Sequence, residues 1–497
     1  NIVSFFICTL CVSAQTKEKE IDHSIRFGVN VSSSSFYQPY KYFYGGSQLL
    51  INSVYGNGLY YFNKNKLVSD DVRSIEIKST KRISILLQPN SRFQREDIKA
   101  TYLHYKNYFQ KTKNYKYYFF GLIQSINIED NKVELIIENT SLFNNFYLTF
   151  PILTQSTIAQ LNRLSTEPTT KEFSNSVYSN YTSILFRENK IHLNKLIRFD
   201  LYENEEKIFN AALEKKVDFF KINELPRFMG SRINQHLDTY RIRFTNKQTN
   251  SLLVFGMDDK KFSKEERKAF SKLLNKEHIF SEYLTTEAEI AESFYPKKDN
   301  YNYSNSLIKF KPEKAFKEIT ELGYKVRSHS YLSRKGQKRP FRIFYPKNNS
   351  LLRKIARDII LSFTEVGLYI EPVEVDKEEI LVRMKKHALE FYLFDYSFHR
   401  DEYLGFFTSL NENWNDQIYE KYLWRLKNNP NNSSTKPLVQ KLQQIILKES
   451  YQIPLFFFKY DRFFISKSIS NYMKRYVQDD QVYYQLLPVN EWKNIEK

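Results

Sequence analysis

Residues 394–402 read FDYSFHRDE and set aromatic rings, an imidazole and carboxylates within one short stretch. Phe394, Tyr396 and Phe398 offer faces on which a flat or apolar solute can stack. His399 and Asp401 add hydrogen-bonding and charged groups beside them. The chemistry available here is recognition, not bond-making. No G-x-S-x-G, no H-E-x-x-H and no phosphate-cradling glycine loop occurs in the chain. The eight histidines are scattered with no pair at metal-ligand spacing, and each by itself reads as a surface or packed residue. Cys8 and Cys11 have C-x-x-C spacing but lie in an apolar leader, where a redox or metal role is not expected. The residues imply no cofactor and no metal.

The elements that must hold 394–402 in place can be read from periodicity. Residues 389–398 form a strongly aromatic strand. Before it, the pattern predicts a helix over 311–323 stopped by Gly323, a strand at 341–345, and a helix over 351–366 stopped by Gly367. A strand at 368–375 and a helix at 377–386 follow. Further upstream, 241–246 alternates cationic and apolar residues as a half-buried strand does. Ser263 and Glu266 then form a capping box, and Phe270, Leu273, Leu274 and Ile279 fall on one broad helical face. Two helices, 419–426 and 438–449, flank a proline- and asparagine-rich linker. In the first third, 123–128 and 133–137 form a hairpin about Asp130-Asn131, and 143–148 reads as helical. Alternation of strands and helices argues an α/β arrangement.

The chain has 497 residues, enough for two or three domains, and its 41% hydrophobic and 16% aromatic content supports large cores. The net charge of +19 is scattered along the chain among acidic residues. The densest basic runs, 111–116 and 334–339, therefore read as solvated loops or faces, and no nucleic-acid-binding module is recognisable. Residues 2–12 are apolar but too short to span a bilayer. Val12, Ser13 and Ala14 place small residues before Gln15, as at the end of a secretory signal. Lipid attachment at Cys11 is the alternative, though bulky Leu10 stands where a lipoprotein signal prefers a small residue.

The order of these pieces resembles the peptide-type solute-binding proteins of ABC importers, family 5, which include oligopeptide-, dipeptide- and nickel-binding proteins. The resemblance rests first on a strand ending in Phe244 and Asn246, a variable loop after it, and then Arg267, Ala269, Phe270, Leu273, Leu274, Glu277 and Ile279. Phe93, Asp97 and Ile98, the stretch ILFRENK at 184–190, Pro312, Lys314, Ala315, Leu322-Gly323-Tyr324 and Ile453-Pro454-Leu455 continue it, so that it spans about 25–484. There are departures. Asn57 and Ser69 replace an acidic residue and a proline. Residues 173–178, FSNSVY, keep only Tyr178 of a glycine-rich motif. By alignment His399 replaces the aspartate that peptide binders set against the ligand's amino terminus.

The resemblance implies an α/β, two-lobed periplasmic-binding-protein fold with an extra amino-terminal subdomain and a hinge between the lobes. Residues 1–14 would be the remnant of a signal peptide, and 25–46, 165–240 and 465–497 the first lobe. Residues 47–164 would form the inserted subdomain and 241–464 the second lobe. It implies a monomer outside the cytoplasmic membrane that captures a small solute, peptide or other, and delivers it to an ABC permease, with no enzymatic step, cofactor or nucleic acid. The implied site joins Ser32, Ser34 and Phe36 in the first loop and Tyr178 to Phe394, Tyr396, Phe398, His399 and Asp401. The lost glycines and aspartate leave open a scaffold with a non-transport role, as adhesin, sensor or chaperone, and after it a secreted hydrolase.

Overall fold

The computed structural model describes residues 25–30, 58–63, 66–112, 117–155, 158–159, 176–177, 197–202, 205–222, 240–285, 288–303, 308–326, 332–334, 339–347, 349–399, 402–411, 414, 416–428, 434–478 and 481–486. Its centre is a ten-stranded sheet in two halves. The order runs Ile370–Val375, Phe341–Pro346, Phe391–Phe398, Tyr240–Met257, Gln452–Ser466, Phe219–Ile222, Ile25–Asn30, Ile197–Tyr202 and Ser176–Val177. Ala288–Ile290 also pairs with Gln452–Ser466. Each half has a parallel set, Ile25–Asn30 with its two neighbours and Phe341–Pro346 with its two, while the edge strand Ser176–Val177 pairs antiparallel. Parallel pairs need crossover connections, so helices such as Glu205–Leu213 and Ser350–Glu365 lie between them in sequence.

Two antiparallel strands of 18 and 15 residues run through both halves. At about 3.3 Å per residue they are far longer than one half-sheet needs. Tyr240 to Asn246 pair with Ser466 back to Tyr460, and Ser251 to Gly256 with Phe458 back to Gln452. The register shifts between Asn246 and Ser251, where the pair passes from one half to the other. Sequence reading placed a strand at 241–246 with a variable loop after it; that loop instead continues the strand.

Strand periodicity makes two cores on the sheet's two faces. Leu253, Phe255 and Met257 enter one with Phe270, Leu273, Phe341 and Phe363. Leu252 and Val254 enter the other with Phe394, Tyr396, Phe398 and Phe406. Pro454, which cannot donate to a ladder, coincides with a second register shift between Leu253 and Val254.

The capping box forms: Ser263 Oγ accepts from the Glu266 amide at 3.2 Å, and the Glu266 carboxylate accepts from the Ser263 amide at 2.7 Å. The expected single helix is two, Lys264–Ser271 and Lys276–Tyr283, because Asn275 caps the second by accepting from the His278 amide at 3.1 Å. Phe270, Leu273, Leu274 and Ile279 still reach one core. Helices Pro312–Glu321 and Ser350–Glu365 end as expected before Gly323 and Gly367, whose φ values of +88° and +86° favour glycine.

A separate four-stranded antiparallel sheet, in order Val72–Ser79, Arg82–Leu87, Lys132–Ile137, Ile123–Glu129, packs with helix Arg95–Thr112 around Tyr102, Tyr105, Phe119 and Phe120. Residues 143–148, expected as helix, fall largely in the 3-10 turn Asn145–Thr149, which follows another at Thr140–Leu142. Gly58 lies against the following segment so closely that a Cβ there would stand 2.3 Å from the Leu148 carbonyl oxygen. Tyr118, Leu122 and Leu142 pack into the core shared with Phe394 to Phe406, joining this unit to the second half-sheet.

Candidate functional site

Strand Phe391–Phe398 lies antiparallel to Tyr240–Met257, with Phe398 opposite Asn250 and Phe391 opposite Met257. Its carboxyl end therefore stands beside the passage between half-sheets, and residue 399 leaves the sheet at that junction. This places the stretch singled out by sequence next to the hinge-like crossing.

Within the strand, burial divides the residues. Phe394, Tyr396 and Phe398 are each no more than 1% exposed. Phe398 stacks on Phe406 at 4.4 Å, Tyr396 meets the same ring edge-on at 5.1 Å, and Tyr295 meets Phe398 at 5.5 Å. Gln452 Nε2 donates to the Tyr396 and Tyr392 hydroxyls at 2.8 and 2.9 Å. Burial drives the Tyr396 phenol well above its ordinary pKa, so it stays neutral. The expected open stacking face is thus packed core, since helix Tyr403–Asn411 folds back over it and apolar rings gain more from mutual burial than from exposure.

His399 is half-buried, and its backbone N–H donates to Glu402 Oε2 at 2.6 Å. Asp395, the other carboxylate of the stretch, is held by Lys377 Nζ at 2.5 Å, and the same ammonium lies 5.0 Å over the Phe394 ring. Ser32, Ser34, Phe36, Tyr178 and Asp401 lie outside the described residues. So do Cys8, Cys11 and the leader.

Two groups at this junction were not singled out by sequence. Glu402, 3% exposed, ties the turn after the strand back to His399; its signal was an acid three residues beyond. Asn250 has its Nδ2 buried and without a hydrogen-bond partner among the described residues, which is unusual for a native donor. It sat in the segment read as loop, and no local signal marked it.

A sheet in two halves, sewn by two continuous strands, with a polar turn emerging at their junction, defines a two-lobed α/β binding protein of the periplasmic type. Residues 178–417 match the family model described as bacterial extracellular solute-binding proteins, family 5 Middle. That match covers the middle of the chain, and by it the chain is similar to the family. No curated protein sequence matches it significantly. Among solved structures, the oligopeptide-binding protein AppA from Bacillus subtilis, in complex with a nonapeptide, superposes with a TM-score of 0.70 at 14% identity, covering 94% of this chain and 98% of that one. NikZ from Campylobacter jejuni, in complex with Ni(L-His), gives 0.67 at 16% identity, with 95% and 99% covered. A dipeptide binding protein from Pseudoalteromonas sp. SM9913, in complex with Met-Leu, gives 0.66 at 14%, with 93% and 99% covered. At these identities the likeness is one of fold. No helix among the described residues is long and apolar enough to cross a membrane.

Proposed function

We propose that this chain captures a small solute between its two lobes outside the cytoplasmic membrane and delivers it, as a monomer and without chemistry of its own, to an ABC permease. The observation that carries the reading is the pair of long strands crossing between half-sheets with a register shift at the crossing. Such a connection lets two rigid halves rotate about a few residues, and a solute touching both halves favours the closed state by its differential contacts. The stretch 1–14, which reads as the remnant of a secretory signal, supports export.

Within this reading, the solute meets the turn from 399 to 402 and the polar edge at Asn250, with the rings of Phe394, Tyr396 and Phe398 as the packed floor beneath. The first-lobe loop 32–36 and Tyr178 would close from the other side. An imidazole at 399 cannot replace a carboxylate facing an ammonium group, and Asp395 is held by Lys377. The favoured solute therefore lacks a free amino terminus as its main anchor.

Calorimetric titration and small-angle scattering with Met-Leu, a nonapeptide, amino-acetylated forms of both, and Ni(II)–histidine test this. One of these should bind and make the protein more compact. Binding at saturation with an unchanged radius of gyration would refute capture by closure.

A further inference from the structure

We propose that Asp258, Asp259 and His387 form a structural binding site for a divalent transition metal of the zinc class, separate from the solute site. Sequence reading saw no metal-ligand spacing because the histidine lies 129 positions from the first aspartate. The fold brings them together. Asp258 and Asp259 follow strand Tyr240–Met257 directly, and His387 ends the turn after helix Lys377–Lys385. The two segments are fastened by the Asp258 amide, which donates to the Glu390 carbonyl at 3.2 Å.

Nδ1 of His387 lies 3.1 Å from Asp258 Oδ1 and 3.5 Å from Asp259 Oδ1, and one ligand atom from each of the three falls within 4.8 Å of the others. Metal bonds of about 2.0–2.1 Å set neighbouring ligand atoms about 3.0 Å apart at right angles and about 3.4 Å apart in a tetrahedron. The two histidine–aspartate separations match those edges. The remaining pair, the two carboxylate oxygens, lies within 4.8 Å, so a modest shift of one aspartate would complete the set.

The second observation is an unmet need. Asp259 Oδ1 is buried and has no hydrogen-bond partner among the described residues. Asp258 accepts from the Lys260 amide at 2.9 Å, but neither aspartate has a lysine or arginine within ion-pair distance among the described residues. The cation nearest in effect, Arg267, is spent elsewhere: it donates to the Phe262 and Glu449 carbonyls at 2.7 and 3.0 Å and lies 4.7 Å over the Tyr451 ring. Two adjacent carboxylates taken out of water call for a counter-charge beyond one imidazole. An imidazole with two carboxylates and no thiolate suits zinc, with water completing the sphere.

The site stands at the end of the half-sheet remote from the lobe junction. Phe391 pairs with Met257 there, and Phe398 with Asn250 at the junction, seven residues or about 23 Å away along the strand. Its metal would fasten the 258–262 loop to the 386–390 turn and leave solute capture untouched.

The test uses full-length protein stripped with EDTA and titrated with zinc chloride. One ion per chain should bind and raise the melting temperature. Asp259→Asn and His387→Asn should each weaken binding tenfold or more; asparagine tolerates the left-handed φ of +49° at position 387, so the backbone is kept. Anomalous scattering from zinc-soaked crystals should place the ion between these three side chains, which decides the matter even if a variant misfolds. Absence of zinc binding, an ion located elsewhere, or unchanged affinity in both folded variants would overturn the proposal.

Discussion

Lys276 gives a pH dependence that can be worked from the structure. It is 8% exposed, and its Nζ donates to the carbonyls of Ala291 and Pro454 at 2.9 and 2.6 Å. It thereby straps helix Lys276–Tyr283 to strand Gln452–Ser466 and to the segment after Ala288–Ile290. Burial pushes its pKa down from 10.5 to about 8, because the charged form is taken out of water with no carboxylate at ion-pair distance among the described residues. Below pH 8 folded and unfolded chains both hold the proton, and the cost of burying the charge is constant. Between pH 8 and 10.5 the unfolded chain binds more protons than the folded one, so this group makes stability rise with pH. The full change is about 3 kcal/mol, at roughly 1.4 kcal/mol per tenfold change in proton affinity. Buried tyrosines, whose pKa values burial raises, act in the opposite sense above pH 10. The comparison is therefore wild type against Lys276→Met, by urea denaturation read from tryptophan fluorescence at pH 7, 8, 9 and 10. Trp414 and Trp424 both report on this lobe. Wild type should gain about 2–3 kcal/mol on the variant across that range. Parallel curves would refute the reasoning.

Ser263→Ala should cost about 1 kcal/mol by removing the acceptor of the Glu266 amide, measured by the same denaturation. Gly367→Ala should cost about 1–2 kcal/mol, since φ is +86° and a Cβ would stand 3.2 Å from Leu332 Cγ; an unchanged midpoint would contradict the cap assignment. Acetylating the amino terminus of a bound peptide should change its affinity less than threefold. A hundredfold loss would mean that a carboxylate does face the ammonium, with Asp401 the residue to substitute next.

The second half-sheet was legible in the sequence because its signals are local. Gly323 and Gly367 end helices by their own φ, Ser263 and Glu266 cap one across a single turn, and 391–398 is rich in the aromatic residues that strands favour. Errors came where a distant partner decides. Residues 247–250 look like a loop but continue a strand because Gln452–Ser466 runs beside them into the other half. Asn275 is the local exception, capping a second helix through the His278 amide where periodicity alone read one continuous face. Phe394, Tyr396 and Phe398 advertise a stacking surface, and only the folding of Tyr403–Asn411 over them decides that they are core. His387 carries no local mark at all, for its neighbours Asp258 and Asp259 come from another segment.

The central claim is that two halves close about the 246–251 crossing when a solute binds. It is tested most directly by spin labels at exposed positions on helices of the two halves, Lys207 on Glu205–Leu213 and Arg357 on Ser350–Glu365, with Cys8 and Cys11 replaced by serine. Pulsed electron resonance should give a broad distance distribution without solute and a shorter, narrower one at saturation with whichever of the titrated solutes binds. The same distribution in both states, with binding confirmed by calorimetry, would contradict the account.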